Sequence, residues 1–314
     1  MALVVRLSRF LPLGRGAAAG LRLLWVTSRS LGRRGFRPFR SSEGVRNPGT
    51  FRRSLLFSAL SYLGFETYQV ISQASVVYAT SKVEEILEQA DYLYESGETE
   101  KLYQLLTQYK ESEDAEVLWR LARASRDIAQ LSYTSEEEKK LLVYEALEYA
   151  KRALEKNESS FAAHKWYAIC ISDVGDYEGI KVKIANAYII KEHFEKAIEL
   201  NPKDATSIHL MGIWCYTFAE MPWYQRRIAK LLFATPPSST YEEALGYFER
   251  AEQVDPNFYS KNLLLLGKTY LHLHNKKLAA FWLSKAKDYP AHTEEDKQVQ
   301  TEAAQLLAGF SDKN

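Results

Sequence analysis

Five side chains between residues 119 and 166 have the types to form a binding site. Trp119, Arg123, Arg126, Lys165 and Trp166 combine flat aromatic surface with fixed positive charge. Arginines at 120, 123 and 126 recur every three residues, so on a helix Arg123 and Arg126 share a face. A basic, aromatic-lined pocket of this kind suits a carboxylate, a phosphate or an acidic peptide. A second reading stands beside it: the tryptophans pack between helices, and the arginines pair with Glu116 and Asp127. The segment 217–239 offers another set, with Trp223, Arg226, Arg227 and Lys230 among Tyr224, Ile228, Leu231, Leu232 and Phe233. Those spacings predict an aromatic, basic amphipathic helix.

Patterns that would make an enzyme are missing. Leu266-Gly267-Lys268-Thr269 ends like a phosphate-binding loop, but the loop needs a glycine at position 262, where asparagine stands. Leucines at 263–266 predict a helix there instead. The chain contains no Gly-x-Ser-x-Gly elbow, no His-Glu-x-x-His and no dinucleotide fingerprint. The only cysteines, Cys170 and Cys215, make no disulfide framework and point to a reducing compartment. Cys215 is expected to be buried, and nothing near Cys170 marks a nucleophile. His272 and His274 are two apart and face different ways on a helix. No catalytic residue, metal site, cofactor or nucleic-acid partner is expected.

The elements that position these residues follow a repeat. In a tetratricopeptide unit of 34 residues, small residues let two antiparallel helices approach, and large ones fill the layer between units. Leu266-Gly267, Tyr270, Ala279, Leu283, Ala286 and Pro290 match one unit without insertion. Met211-Gly212 with Ala244, Phe248, Ala251 and Pro256 match another, its halves separated by about twenty extra residues. Phe194, Ala197 and Pro202 end a third. Leu121-Ala122 with Ala146, Ala150 and Ala153, and Ala90 with Leu102 and Leu106, mark two looser units. Ser135–Glu138 and Thr240–Glu243 are capping-box patterns, and Thr293 can cap a last helix through Val299, Ala303, Leu307 and Phe310. The fold class expected is all-α, a tetratricopeptide-like helical-repeat solenoid of about five units plus a C-terminal capping helix, with inserted segments and a disordered basic N-terminus.

In such an array the first helix of each unit lines a concave groove. Register puts Glu116, Trp119, Arg123 and Arg126 there from the second unit. The third supplies Lys165, Trp166, Ile169 and Ser172, the fourth His209, Ile213 and Tyr216, and the fifth Lys268. The Lys/Asn pattern of the two-carboxylate clamp is missing, so docking to a chaperone tail is not expected. Insertions in repeat arrays often sit at the binding face, which makes 217–239 a second partner-binding candidate.

Charge divides the chain. Residues 1–53 hold twelve arginines, no lysine and one acid, Glu43, for +11; with a net charge of +1, the remaining 261 residues carry −10. Three parts are expected: an Arg-rich segment 1–46, a linker with an apolar amphipathic helix in 47–81, and the repeat domain in 82–310. The first is Ser-containing, acid-free to Ser42 and amphipathic around Leu3, Val4, Leu7, Phe10 and Leu11, as a mitochondrial presequence is. A disordered basic arm that binds acidic surfaces fits the same residues. Leu55–Phe65 is too short to span a membrane, and Glu66, Gln69 and Gln73 follow it. Peripheral membrane contact through residues 54–78 is a further expectation.

From Asn47 onward, about five-sixths of the length, the chain resembles the regulator of microtubule dynamics family. The resemblance is carried by Leu60–Tyr68, Ala90–Gly97, His164-Lys-Trp-Tyr167, Gly212–Tyr216, Ala219–Trp223 and Ala234–Pro237. It implies a helical-repeat adaptor without catalysis. It also implies association with microtubules or a microtubule-associated protein, with the mitotic spindle and its poles, and a cytoplasmic interphase pool; relatives are linked to mitochondria and membrane contact sites. It brings no residue-level binding motif. Microtubule surfaces are acidic, so the −10 of the repeat region opposes binding, and either the N-terminal arm or a patch such as Arg226, Arg227 and Lys230 must supply the attraction.

Overall fold

A computed structural model describes residues 82–311. The two expected N-terminal parts, 1–46 and 47–81, and the apolar stretch 54–78 lie outside the described residues. Among those described, all regular structure is helical, in twelve helices. Residues 82–95 form α1. The rest are α2 (Thr99–Thr107), α3 (Ala115–Ala129), α4 (Glu136–Lys156), α5 (Phe161–Glu178), α6 (Ile180–Leu200) and α7 (Ala205–Glu220). Then come α8 (Trp223–Leu232), α9 (Tyr241–Val254), α10 (Ser260–His272), α11 (Lys276–Lys287) and α12 (Glu294–Ser311).

The helices pack as hairpins, α3 on α4, α5 on α6, α7 on α9 and α10 on α11, and each hairpin packs on the next. Two glycines set the closest approaches. A β-carbon on Gly212 would lie 2.6 Å from the Phe248 ring, and one on Gly267 would lie 2.6 Å from Leu283 Cγ. These are the paired small and large positions read from the sequence. Leu102, Ala146, Ile190, Ala244 and Ala279, one from each unit, are all buried.

Repeat punctuation is equally regular. Asn157, Asn201 and Asp255 end α4, α6 and α9 with nearly the same backbone geometry (φ −151, −137 and −142°; ψ 92, 87 and 92°). Each donates its N–H to an alanine carbonyl four residues back, Ala153, Ala197 or Ala251. Asp114, Ser160 and Asp204 cap the N-termini of α3, α5 and α7 with side-chain oxygens. Thr240 and Glu243 form a complete capping box on α9. Ser135 accepts from the Glu138 N–H on α4. Thr293 and Asp296 cap α12 reciprocally, at 3.1 and 3.0 Å. That helix closes the stack by burying Val299 and Ala303 against Leu263, Leu264, Leu283 and Ala286.

The extra residues between α7 and α9 hold α8. Gly267 lies inside α10, so the Leu-Gly-Lys-Thr run is helix and not a phosphate cradle. Cys170 and Cys215 are buried thiols; burial pushes both up from the ordinary thiol value, the first far up.

Candidate partner-binding surfaces

The seven groove candidates, Trp119, Arg123, Arg126, Lys165, Trp166, His209 and Tyr216, are all buried. On α3, Trp119 donates its indole N–H to Glu116 Oε2 at 2.8 Å. Arg120 lies over that ring, 4.2 Å from its centroid. It grips Asp91 of α1 through Nε and Nη2, at 2.9 and 2.8 Å, and reaches Glu116 with Nη1. Such a two-pronged contact is the strong form of an arginine–carboxylate pair.

Arg123, only 3% exposed, is held mainly by aromatic rings. Its guanidinium sits 3.5 Å from the Tyr94 centroid and 5.1 Å from that of Trp119, with Asp91 at 3.8 Å. Among the described residues, Nε and Nη2 have no hydrogen-bond partner. Burial lowers its affinity for the proton, against the pull of Tyr94 and Asp127. Arg126 pairs through Nε with Asp173 of α5. Burial works against the charge on Arg126, but the Asp173 carboxylate outweighs it and holds the guanidinium cationic. The same burial raises Asp173 despite that partner.

Lys165 of α5 binds both carboxylate oxygens of Asp204, at 3.2 and 3.0 Å. Asp204 is also the N-cap of α7, so one carboxylate ties two units together. His209 lies between the Phe248, Phe258 and Tyr259 rings. Asn262 donates its amide to the Phe248 carbonyl at 3.1 Å, which leaves its Oδ1 to accept from His209 Nδ1 at 2.8 Å. Burial pushes the imidazole pKa down to about 3, which leaves it neutral near pH 7. Tyr216 packs against Tyr241, Phe248 and His272, and burial raises its phenol. The structure thus joins Trp119 to Arg123, while Arg126, Lys165 and His209 each go to a neighbour from another helix.

The insertion is the opposite case. Of its four candidates, Arg226 is half-buried and donates to the carbonyls of Pro237 and Phe218, both at 2.7 Å. Trp223, Arg227 and Lys230 are exposed. Ala229 is the buried residue of α8. Tyr224, Ile228, Leu231, Leu232 and Phe233 are exposed too.

Sequence reasoning did not pick out Asp91, Asp173 or Asp204 as partners. Asp204 had a signal, since an acid just before an apolar helix reads as an N-cap. Asp173 lies 47 residues from Arg126, a separation that only the stacking of α3 on α5 closes.

An all-helical stack of paired helices with small-to-large contacts and a polar-capped last helix is the tetratricopeptide class of fold. A thermophilic TPR protein of Thermus thermophilus superposes with a TM-score of 0.50 over 71% of this chain and 99% of that one, at 16% identity. Residues 86–311 match the family model described as regulator of microtubule dynamics protein 1-3, and the chain belongs to that family. It is 86% identical over 314 residues to regulator of microtubule dynamics protein 1 of Homo sapiens, covering 100% of both chains. It is 82% identical to the Rattus norvegicus protein of that name, covering 99% of this chain and 100% of that one. Regulator of microtubule dynamics protein 3 of Xenopus laevis is 37% identical over 62% of this chain and 42% of its own length.

Proposed function

We propose that the protein is a non-catalytic adaptor that associates with microtubules, or with a microtubule-associated protein, at the spindle and its poles and in the cytoplasm. The observation that carries this reading is family membership over residues 86–311, joined to a repeat fold whose use is to present a surface. Attraction to an acidic filament comes from the segment 1–53, at +11, most of it in the arm 1–46, since the remaining residues carry −10. Residues 1–46, 47–81 and 82–310 serve as arm, linker and repeat domain. The set Trp119, Arg123, Arg126, Lys165, Trp166, His209 and Tyr216 forms the inner wall that holds successive units in register. Within the domain the insertion is the exposed contact surface, through Trp223, Arg227 and Lys230 with Arg226 as its mooring, and it is not required for attraction to the filament.

Co-sedimentation with microtubules tests this. The full chain is expected to pellet, and a chain lacking residues 1–46 to stay in the supernatant at physiological salt. Failure of both to pellet would sink direct binding.

A second reading rests on the Arg-rich, acid-free stretch to Ser42: a presequence that sends the protein to mitochondria, where the repeat domain binds an organelle protein or an acidic small ligand. Cleavage would remove the charge that microtubule binding needs, so the two readings are alternatives for any one processed form. N-terminal sequencing of the cellular protein separates them, because a start at Met1 or Ala2 throughout the pool excludes import with cleavage.

A further inference from the structure

A surface helix of a globular protein turns its apolar stripe inward. Helix α8 does the reverse. Its inner side carries Ala229 and the half-buried Arg226, whose guanidinium is tied to the Phe218 and Pro237 carbonyls. Its outer side carries Trp223, 74% exposed, Leu231 at 82% and Leu232 at 65%, with Tyr224 and Ile228 also exposed. Trp223, Arg227 and Leu231 are spaced by four and share one stripe. Lys230 flanks it.

The insertion itself carries charge of one sign. No acid occurs between Glu220 and Glu242, while Arg226, Arg227 and Lys230 do. Helix α6 borders the same region, because Tyr188 donates its hydroxyl to the Thr235 carbonyl, just past α8, at 3.0 Å. Its stretch from Gly179 to Lys191 also lacks acids and contains three lysines. Lys183 pairs with Asp176 and Lys191 lies near Glu195. Lys181, exposed and seven residues before Tyr188 on the same stripe, has no ion pair among the described residues, and neither have Arg227 and Lys230. This basic, apolar region stands out on a domain whose wider charge is negative.

We propose that the outward face of α8 docks on an anionic lipid bilayer. It goes beyond the microtubule reading and does not rest on it. An apolar protein pocket would strip water from Arg227, which lies in the middle of the stripe. An acidic protein surface would leave Trp223, Leu231 and Leu232 against polar groups. A bilayer interface offers both chemistries at one depth: acyl chains for the apolar side chains, and headgroups for cations that extend back to water. Tryptophan and tyrosine favour that boundary. At ten residues, about 15 Å long, α8 lies in the interface plane rather than crossing. No helix among the described residues is long and apolar enough to cross a membrane.

The test uses the full chain with Trp25→Phe, which removes the indole of the basic arm. It is mixed with phosphatidylcholine vesicles, with or without phosphatidylserine, containing brominated acyl chains that quench tryptophan at contact. Quenching is expected with phosphatidylserine and is expected to vanish when Trp223→Phe is added. Leu231→Ser with Leu232→Ser should weaken the quenching-detected binding at least about tenfold. Arg227→Glu with Lys230→Glu should abolish its preference for the anionic vesicles. The substituted residues of α8 are exposed, so the thermal midpoint of each α8 variant should match that of the Trp25→Phe parent. Quenching that is absent, or unchanged by Trp223→Phe, overturns the proposal. So does loss of microtubule pelleting in the Leu231/Leu232 variant with vesicle quenching intact, which would make the face a protein-docking surface.

Discussion

Helices α3 and α8 both read as basic and aromatic, yet the fold treats them in opposite ways. On α3, Trp119, Arg123 and Arg126 are buried and tied to Asp91, Tyr94, Glu116 and Asp173. On α8, Trp223, Arg227 and Lys230 are left exposed, and Arg226 is the cation drawn inward. Composition therefore does not distinguish a charge that builds a core from one that meets a partner. What distinguishes them is whether neighbouring elements supply a carboxylate, a carbonyl or an aromatic ring at the right height.

The contrast can be broken by substitution. The largest effect belongs to Arg126→Ala, which strands the largely enclosed Asp173 carboxylate, 18% exposed at its side chain. A loss of about 3–5 kcal/mol is expected, read as a fall in the urea midpoint. Replacing both partners with apolar residues of similar volume, Arg126→Met with Asp173→Leu, should recover most of that loss. If Arg126→Ala leaves the midpoint unchanged, the arginine is not structural and the comparison fails.

Acid should come next. His209 is neutral in the folded protein, with a pKa of about 3 against an ordinary value of 6.5. The unfolded chain therefore binds a proton that the folded one refuses. Its contribution to stability is complete above about pH 6.5 and is lost progressively as pH falls toward about 3. His193, its ring 4.9 Å from that of His164 and lowered by burial and by that neighbour, acts in the same direction. Unfolding midpoints measured across this range should fall with acid, and His209→Gln should flatten the decline. Equal slopes for the two proteins would show that the imidazole is not buried as described.

A smaller loss, about 1.5–3 kcal/mol, is expected for Arg226→Ala, because two backbone carbonyls lose a charged donor. Hydrogen exchange at residues 223–237 should rise while the hairpin of α10 and α11 stays protected. Smallest of all are the outward residues of the insertion. Trp223→Ser or Leu231→Ser should shift stability by no more than about 0.5 kcal/mol. A large destabilisation there would mean that the face is already covered.

Much of the scaffold was legible before any coordinates. Gly212 with Phe248 and Gly267 with Leu283 are local spacing rules within one hairpin, and the structure brings each pair into contact. Thr240–Glu243 and Thr293 read as caps because a cap needs only three residues of context. The partners of the basic residues were not legible. Arg126 to Asp173 spans 47 residues and Lys165 to Asp204 spans 39, and each pair joins successive units. Helix periodicity assigns a face to each residue, but does not say which residue of the next unit arrives opposite.

The sequence by itself determined an all-helical repeat array, the place of its insertion and the confinement of its net positive charge to the first 53 residues. Those properties are written in short-range spacing and composition, where one or two turns of chain decide the outcome. Tertiary structure decided the fate of each charge. Burial costs a cation several kcal/mol unless a carboxylate, a carbonyl or an aromatic face meets it, and for Arg126 and Lys165 that meeting depends on the stacking of units tens of residues apart. It also decided that α8 faces outward, since two carbonyls, at Phe218 and Pro237, hold Arg226 inward and leave the apolar side to the surroundings.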